Sequence, residues 1–219
     1  MIRSGRDLAC GTGKYTHLLH TLGASGVSGY DISSTMIAGA QGTYPHSQYP
    51  DLHFGIADCS ILQSLPAADN ESYDVVFSAW FLNYAGSETE LTNMFRVIES
   101  QMKPGGRFVG LTTDAHDPNM HVSKPNFYGL DIEVLDPAYV APDTGKVVGI
   151  KARVKVGKGG FEFDCFQFRE EVYERCAKEA GLEIKWREVV VPDDERKESD
   201  YWNEWLRRPT FALLEAKRA

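Results

Sequence analysis

The sequence predicts an α/β fold in which residues 1–219 form one domain around a doubly wound, mostly parallel sheet with helices on both faces. In the first half, helix-like and strand-like apolar patterns alternate with short connections between them. The continuously apolar run at 75–77 is typical of a strand buried on both faces. With 219 residues, 42% of them hydrophobic, the chain is large enough for a complete core.

The first half supports this fold element by element. The first helix is predicted from apolar residues at helical spacing that end at a glycine: Tyr15, Leu18, Leu19, Leu22 and Gly23. Strands follow at 27–30 and 52–57, and a second helix between them begins at Ser33 or Ser34. A further helix is predicted to run from Leu91 to Met102. A turn at 103–106 then leads into a strand at 108–111.

The second half contains an insertion before the α/β pattern returns. Residues 113–145 are rich in Asp, Pro, Asn and Gly, and we interpret them as a long loop. Residues 147–168 alternate between apolar and charged, which predicts a β-hairpin with opposite charges on its polar face. A helix at 170–180, a strand through Ile184 and Trp186, a short helix capped by Ser199 and a last strand at 211–216 complete the chain.

Charge and cysteine content limit the classes of function. The net charge is −8, from 23 basic and 31 acidic residues, so binding to nucleic acid through phosphate neutralisation is not expected. No apolar run approaches the roughly 20 residues that span a bilayer, and the first residues lack the apolar segment of a secretory signal. The four cysteines show no C-x-x-C spacing, so we expect reduced thiols and a cytoplasmic protein.

A glycine-rich turn between the first strand and the first helix is the strongest motif. Gly11 and Gly13 allow the backbone to approach a ligand closely, although they could also serve only a tight turn. A dinucleotide motif would place a third glycine where Thr16 stands, and Asp7 suits a cation better than a diphosphate. These two residues disfavour a nicotinamide oxidoreductase.

Two further acids end the following strands. Asp31 could accept hydrogen bonds from both hydroxyls of a ribose, and Asp58 could accept one from an exocyclic amine. The alternatives are that Asp31 caps a helix and that Asp58 caps the turn before Leu62. Three acids without a phosphate-binding group indicate a ligand with an ammonium, a ribose and an adenine, which S-adenosylmethionine combines.

Five sequence blocks carry a resemblance to a known family. They are Asp-Leu-Ala-Cys-Gly-Thr-Gly at 7–13, Gly-Tyr-Asp-Ile-Ser at 29–33, Ile-Ala-Asp-Cys at 56–59, Tyr-Asp-Val-Val-Phe-Ser-Ala at 73–79 and Met-Lys-Pro-Gly-Gly-Arg-Phe at 102–108. In order and spacing the chain resembles a class I S-adenosylmethionine-dependent methyltransferase of the small-molecule type. The resemblance implies a Rossmann-like sheet of seven strands with an antiparallel last strand, here with an inserted β-hairpin.

The resemblance also implies the roles of nine residues in cofactor binding. Ala9, Gly11 and Gly13 would line the methionine end, with Asp7 nearby. Asp31 would bind the ribose, and Ala79 would meet the methionine ammonium. The adenine would be contacted by Ile32, Asp58 and the Cys59 backbone N–H.

The chain start departs from the family pattern. Family members carry helices ahead of the first strand that cover the substrate pocket, whereas this sequence begins at the strand itself. That strand should be apolar, yet it contains Arg3 and Arg6, which are costly to bury unpaired. We therefore expect an open pocket, marginal folding and loose cofactor binding.

The sequence leaves the acceptor side of the reaction open. Methyl transfer requires mainly that two reactants be positioned, and a base only where the acceptor must lose a proton. Candidate bases are His116 and His121, which could equally be solvated loop residues, and Tyr84. The residues around Tyr84 that could contact a ligand are Trp80, Phe81 and Asn83. Because the spacing of the loop acids and histidines has no metal-ligand geometry, no metal is expected.

Segment 113–168 is interpreted as a substrate lid. Its aromatic residues suggest an apolar or aromatic small-molecule acceptor, although they could only cover the sheet edge: Phe161, Phe163, Phe166 and Phe168. The predicted function is methyl transfer from S-adenosylmethionine to an O, N or C atom of such a molecule. The alternative is a catalytically silent protein that keeps the cofactor fold and acts by association.

Overall fold

The computed structural model describes residues 4–66, 72–157 and 160–219. Arg3, and Lys158 and Gly159 from the segment 147–168 that is predicted to form a hairpin, lie outside this part of the chain. None of its helices exceeds the 14 residues of Glu88–Gln101, and none combines the length and apolar character needed to cross a bilayer.

A seven-stranded sheet forms the centre of the fold, as predicted. Its strands are β1 (Ser4–Leu8), β2 (Gly26–Asp31), β3 (Leu52–Ile56), β4 (Tyr73–Ala79), β5 (Met102–Thr112), β10 (Leu182–Arg187) and β11 (Ala212–Arg218). Their spatial order is β3-β2-β1-β4-β5-β11-β10, and β11 pairs antiparallel with both of its neighbours. The order reverses between β1 and β4, so a crevice opens beyond the carboxyl ends of these strands, where ligands bind in such sheets.

The helices cover both faces of this sheet. They are α1 (Lys14–Thr21), α2 (Ser34–Thr43), α3 (Glu88–Gln101), α4 (Glu170–Glu179) and α5 (Asn203–Arg207). Of the two serines predicted to cap α2, Ser33 does so, because its side chain accepts a hydrogen bond from the Met36 N–H at 3.3 Å. Met102 begins β5 instead of ending α3, since its backbone is already extended.

A second, four-stranded antiparallel sheet corrects the prediction of a long loop at 113–145. It consists of β6 (Lys124–Phe127), β7 (Leu130–Val140), β8 (Val147–Val156) and β9 (Glu162–Phe168), hydrogen-bonded in that order. The stretch from Leu130 to Val134 alternates apolar and acidic residues, as strands do. The surrounding Asp, Pro and Gly residues obscured this signal.

The hairpin of β8 and β9 is confirmed, with its charges paired across the strands. The side chain of Asp164 accepts from Arg153 at 2.7 Å and lies 3.3 Å from the Lys151 amine. Lys155 lies opposite Glu162 at 3.9 Å. The predicted charge pattern therefore sets the register of this hairpin.

Arg6 is buried in the central strand, as expected, but it has partners. Its guanidinium lies over the rings of Tyr30 and Tyr73, 4.6 and 4.4 Å from their centroids, and donates to the Tyr73 hydroxyl. Cation–π contacts are stronger when desolvated, so the two rings offset part of the burial cost of this charge. The Arg6 Nε and Nη1 atoms have no hydrogen-bond partner among the described residues.

Candidate active site

One large cavity lies beyond the carboxyl ends of the parallel strands. Its volume is about 1070 Å³, and both sheets contribute residues to its lining. Seven of the nine predicted cofactor residues line the first wall: Ala9, Gly11, Asp31, Ile32, Asp58, Cys59 and Ala79. Mainly apolar residues of the second sheet line the other wall: Leu130, Ile132, Ala152, Val154, Val156, Phe161, Phe163 and Cys165. We call these the cofactor wall and the acceptor wall.

The glycine-rich turn between β1 and α1 exposes its backbone at one position and is closely packed at another. Gly11 has φ +54°, and a Cβ there would meet no atom within 4 Å. Gly13 has φ +81°, and a Cβ there would lie 2.7 Å from the Phe54 ring. Gly11 therefore leaves space for a ligand against the backbone, whereas Gly13 allows the turn to pack on the protein.

Asp31 is held in place by backbone groups and keeps capacity for a ligand. It is the last residue of β2, and its two carboxylate oxygens accept from the N–H groups of Gly11 and Ser33, each at 2.9 Å. A carboxylate has about four lone-pair sites, so about two remain for the adjacent hydroxyls of a ribose. Ser33, not Asp31, caps α2 with its side chain, so the capping alternative does not account for Asp31.

Asp58 combines the role of a turn cap with a place on the cofactor wall. Its Oδ1 accepts from both the N–H and the hydroxyl of Ser60, at 2.9 and 2.6 Å. These hydrogen bonds use only one oxygen of the Asp58 carboxylate, so Oδ2 can accept a hydrogen bond from an exocyclic amine. The neighbouring Cys59 thiol is buried, and burial raises its pKa to about 12, so it is a neutral filler in this wall and not a reactive thiolate.

Asp7 and Gly13 are absent from the cavity lining, unlike the other predicted cofactor residues. Asp7 is 1% exposed and accepts a hydrogen bond from the Thr16 hydroxyl at 2.7 Å. Burial raises the pKa of this carboxyl to about 7, and the Thr16 bond opposes that shift. Asp7 therefore ties β1 to α1 behind the turn instead of presenting its charge to the cavity.

The structure separates the three candidate bases. Tyr84 lies on the cavity, with its ring centroid 5.9 Å from that of Phe163. His116 and His121 instead line a separate pocket of about 340 Å³. The loop after β5 turns towards the start of α4, where His116 lies 3.5 Å from both Asp114 and Glu170. The predicted role of the histidines as bases has no support from this placement.

Sequence reasoning only partly identified the acceptor wall. On β9, alternate side chains face opposite ways, so Phe163 faces the cavity while Phe166 packs on Tyr139, 4.8 Å between centroids, and Phe168 is buried in the core. Two of the four predicted lid phenylalanines, Phe161 and Phe163, therefore line the cavity. The residues supplied by β6 and β7 were missed because those strands were not predicted.

Around Tyr84, two of the three suggested contact residues reach the cavity. Trp80 lies on it with φ +66°, a backbone conformation that is unfavourable for an aromatic residue and is concentrated at functional sites. Asn83 also lines the cavity, although it is only 1% exposed. Phe81 is buried in the core instead.

The sheet order and the residues of the cofactor wall are typical of α/β proteins that bind a nucleoside-containing cofactor at the switch point of the sheet. A family model described as a methyltransferase domain matches residues 6–150, two thirds of the chain. The chain belongs to this family, as a class I S-adenosylmethionine-dependent methyltransferase, and its cofactor is S-adenosyl-L-methionine. A search of curated protein sequences gave no significant match.

Solved structures share the fold at low sequence identity. An S-adenosylmethionine-dependent methyltransferase from Mesorhizobium loti is 22% identical, with a TM-score of 0.66 over 99% of this chain and 91% of that one. A second from Clostridium acetobutylicum is 16% identical, with a TM-score of 0.65 over 100% and 85%. CalS10, an amino pentose methyltransferase from Micromonospora echinaspora solved with the cofactor bound, is 16% identical, with a TM-score of 0.59 over 100% and 84%.

Proposed function

We propose that the protein transfers the methyl group of S-adenosylmethionine to an O, N or C atom of an apolar or aromatic small molecule. One observation carries this proposal: a single cavity of about 1070 Å³ has the predicted cofactor residues on one wall and an apolar sheet face on the other. Ligand pockets are commonly about 300–1,000 Å³, so the cavity has room for the cofactor and a second molecule.

In this proposal the cofactor wall binds and orients. Asp31 accepts the ribose hydroxyls, Asp58 with the Cys59 N–H binds the adenine, and Ile32 covers its face. The backbone around Ala9 and Gly11 lies along the methionine end, and the end of β4 at Ala79 meets the ammonium. S-adenosylmethionine supplies an activated methyl group, so the protein contributes chiefly alignment and the exclusion of water.

The segment 113–168 is proposed to cover the acceptor. Its sheet presents aliphatic side chains from β7 and β8, with Phe163 beside Tyr84. A face of this kind favours an apolar or aromatic molecule, because burying such a molecule removes apolar area from water on both partners. The description of CalS10 as an amino pentose methyltransferase is consistent with a small-molecule acceptor, although it does not indicate which.

Tyr84 is proposed to contact the acceptor as a hydrogen-bond donor. Burial raises the pKa of its hydroxyl, so the group stays protonated at neutral pH and is poorly suited to removing a proton. An acceptor atom that is already nucleophilic at neutral pH would need no protein base.

The test is turnover. The purified protein is incubated with methyl-labelled S-adenosylmethionine and a panel of aromatic and aliphatic alcohols, amines and carbon nucleophiles, and both label transfer and S-adenosylhomocysteine are measured. We expect acceptor-dependent labelling above the level without acceptor. Calorimetry with S-adenosylhomocysteine and with NAD should show binding of the first alone. Tight binding of S-adenosylhomocysteine without turnover on a broad panel would favour the silent, associating alternative.

We also propose that the protein acts in the cytoplasm. All four cysteines are buried and none forms a disulfide, which is typical of a reducing compartment. Cell fractionation with a tagged full-length chain tests this, and recovery with secreted proteins would contradict it.

A further inference from the structure

The buried amide of Asn83 has no protein partner. Asn83 is one of the residues that line the cavity, it is 1% exposed, and neither Nδ2 nor Oδ1 has a hydrogen-bond partner within 4–66, 72–157 and 160–219. Most buried polar side-chain atoms are hydrogen-bonded, and leaving one unsatisfied destabilises the folded state. A donor and an acceptor left unsatisfied on one cavity-lining side chain therefore indicate a ligand group that completes them.

The position of Asn83 places this group on the acceptor side. Asn83 belongs to the 3₁₀ helix Leu82–Tyr84, which follows β4 and packs against β9 of the second sheet. The next residue, Tyr84, contacts Phe163 of the acceptor wall. The carboxylates Asp31 and Asp58 belong to the cofactor wall.

Lys124 supplies the only cation among the described residues that line the cavity, and it is already paired. The Lys124 amine lies 3.2 Å from the buried Asp117 carboxylate and donates to the Pro209 carbonyl at 2.8 Å. Glu90 also lines the cavity, and its bond to the neutral Gly86 N–H at 2.7 Å brings no countercharge. An anionic acceptor group buried beside Asn83 would therefore find no free cation, and burying it would be costly.

We propose that Asn83 binds a neutral polar group of the acceptor that both donates and accepts a hydrogen bond, such as a phenol, alcohol or amide. The cavity then selects neutral, largely apolar acceptors against carboxylates of the same shape. This inference rests on the proposed function, because it assigns the second half of the cavity to an acceptor.

The first test is direct binding to the protein saturated with S-adenosylhomocysteine. Calorimetry compares 2-naphthol with 2-naphthoate, which share one apolar frame and differ in charge at neutral pH. We expect 2-naphthol to bind about tenfold more tightly than 2-naphthoate. Asn83→Leu should weaken 2-naphthol by about tenfold and leave the affinity for S-adenosylhomocysteine unchanged.

Asn93→Leu is the matched control. Asn93 lines the same cavity, but it is exposed and its Oδ1 already accepts from Arg96 Nη1 at 3.0 Å. The same substitution there should leave the affinities of both probes unchanged.

A thermal melt without ligands supplies an independent measurement. If the Asn83 amide is unpartnered, Asn83→Leu removes an unsatisfied buried group and should raise Tm by about 2–4 °C. A lower Tm would mean that Asn83 has a structural role, and it would overturn the inference.

Four binding results would also overturn it. These are equal or tighter binding of 2-naphthoate, 2-naphthol binding that Asn83→Leu leaves unchanged, loss of S-adenosylhomocysteine affinity in that variant, and no binding of either probe. Failure of the proposed function gives a different result, because Asn83-dependent binding of 2-naphthol would then persist while label transfer stayed at background.

Discussion

The two walls of the cavity are built in different ways. The cofactor wall consists of backbone turns and carboxylates at the ends of parallel strands, and Asp31 is already fixed there by two backbone N–H groups. The acceptor wall consists of side chains on one face of an antiparallel sheet, and beside it the buried amide of Asn83 is unsatisfied among the described residues. A wall made of backbone suits one constant ligand, whereas a wall made of side chains can change its ligand by substitution.

The largest effect is expected in the turn that forms the cofactor wall. Gly13→Ala combines a left-handed backbone with a contact on Phe54, and should lower the free energy of unfolding by about 2–4 kcal/mol. Gly11→Ala has the backbone cost alone, about 1–2 kcal/mol. Its methyl group would face the open cavity, so it should mainly weaken S-adenosylhomocysteine binding. Urea unfolding and calorimetry on both variants test this division, and equal unfolding losses would contradict it.

The second prediction concerns the carboxylate of the cofactor wall. Asp31→Ala removes charge-assisted hydrogen bonds to the ribose, worth about 1.5–3 kcal/mol, so affinity for S-adenosylhomocysteine should fall at least tenfold. Asp51→Ala, at an exposed acid before β3, is the matched control and should bind normally. Circular dichroism establishes that each variant is folded. An unchanged affinity in folded Asp31→Ala would remove Asp31 from the site.

The third prediction uses the two faces of β9. Phe163→Ala should weaken 2-naphthol binding, because it removes an aromatic face from the acceptor wall, and should change Tm little. Phe166→Ala should lower Tm, because its ring packs on Tyr139 and Phe168, and should leave the probe affinity nearly unchanged. The two variants are compared by thermal melts and calorimetry. Reversed effects would mean that the acceptor wall is not the binding surface.

The fourth prediction concerns the pH dependence of stability and Asp7, behind the cofactor wall. Its pKa is about 7 in the folded protein and about 3.9 in an unfolded chain. Between these values the folded state binds more protons, so this group makes the free energy of unfolding fall as pH rises from about 4 to about 7. Asp7→Asn keeps an acceptor for the Thr16 hydroxyl and should remove the contribution of Asp7 to this pH dependence. At pH 8 the variant should therefore be more stable relative to the unsubstituted protein than it is at pH 4.

Unfolding curves over that pH range test the Asp7 prediction. Asp193→Asn is its control, since that carboxylate is 91% exposed and should leave the slope unchanged. A slope in Asp7→Asn equal to that of the unsubstituted protein would show that Asp7 does not titrate in this range.

Much of the cofactor wall could be predicted because its signals are local. The glycine turn, the acids that end β2 and β3, and the Ser33 cap each depend on a few neighbouring residues. The acceptor wall could not be predicted in the same way. The Asp, Pro and Gly residues around β6 and β7 obscured their strand pattern. Which side of β9 faces the cavity depends on its pairing with β8.

The sequence by itself determined the parallel sheet, its antiparallel last strand, the cofactor class and the paired charges of the β8–β9 hairpin. These features follow from apolar period, turn chemistry and charge, which act over a few residues. Only the tertiary structure decided that Asp7 is buried against Thr16, that Arg6 lies between two tyrosine rings, and that His116 and His121 leave the cavity while Asn83 remains. Each of these outcomes depends on contacts between residues far apart in the chain, where burial and partners are set by how the elements pack.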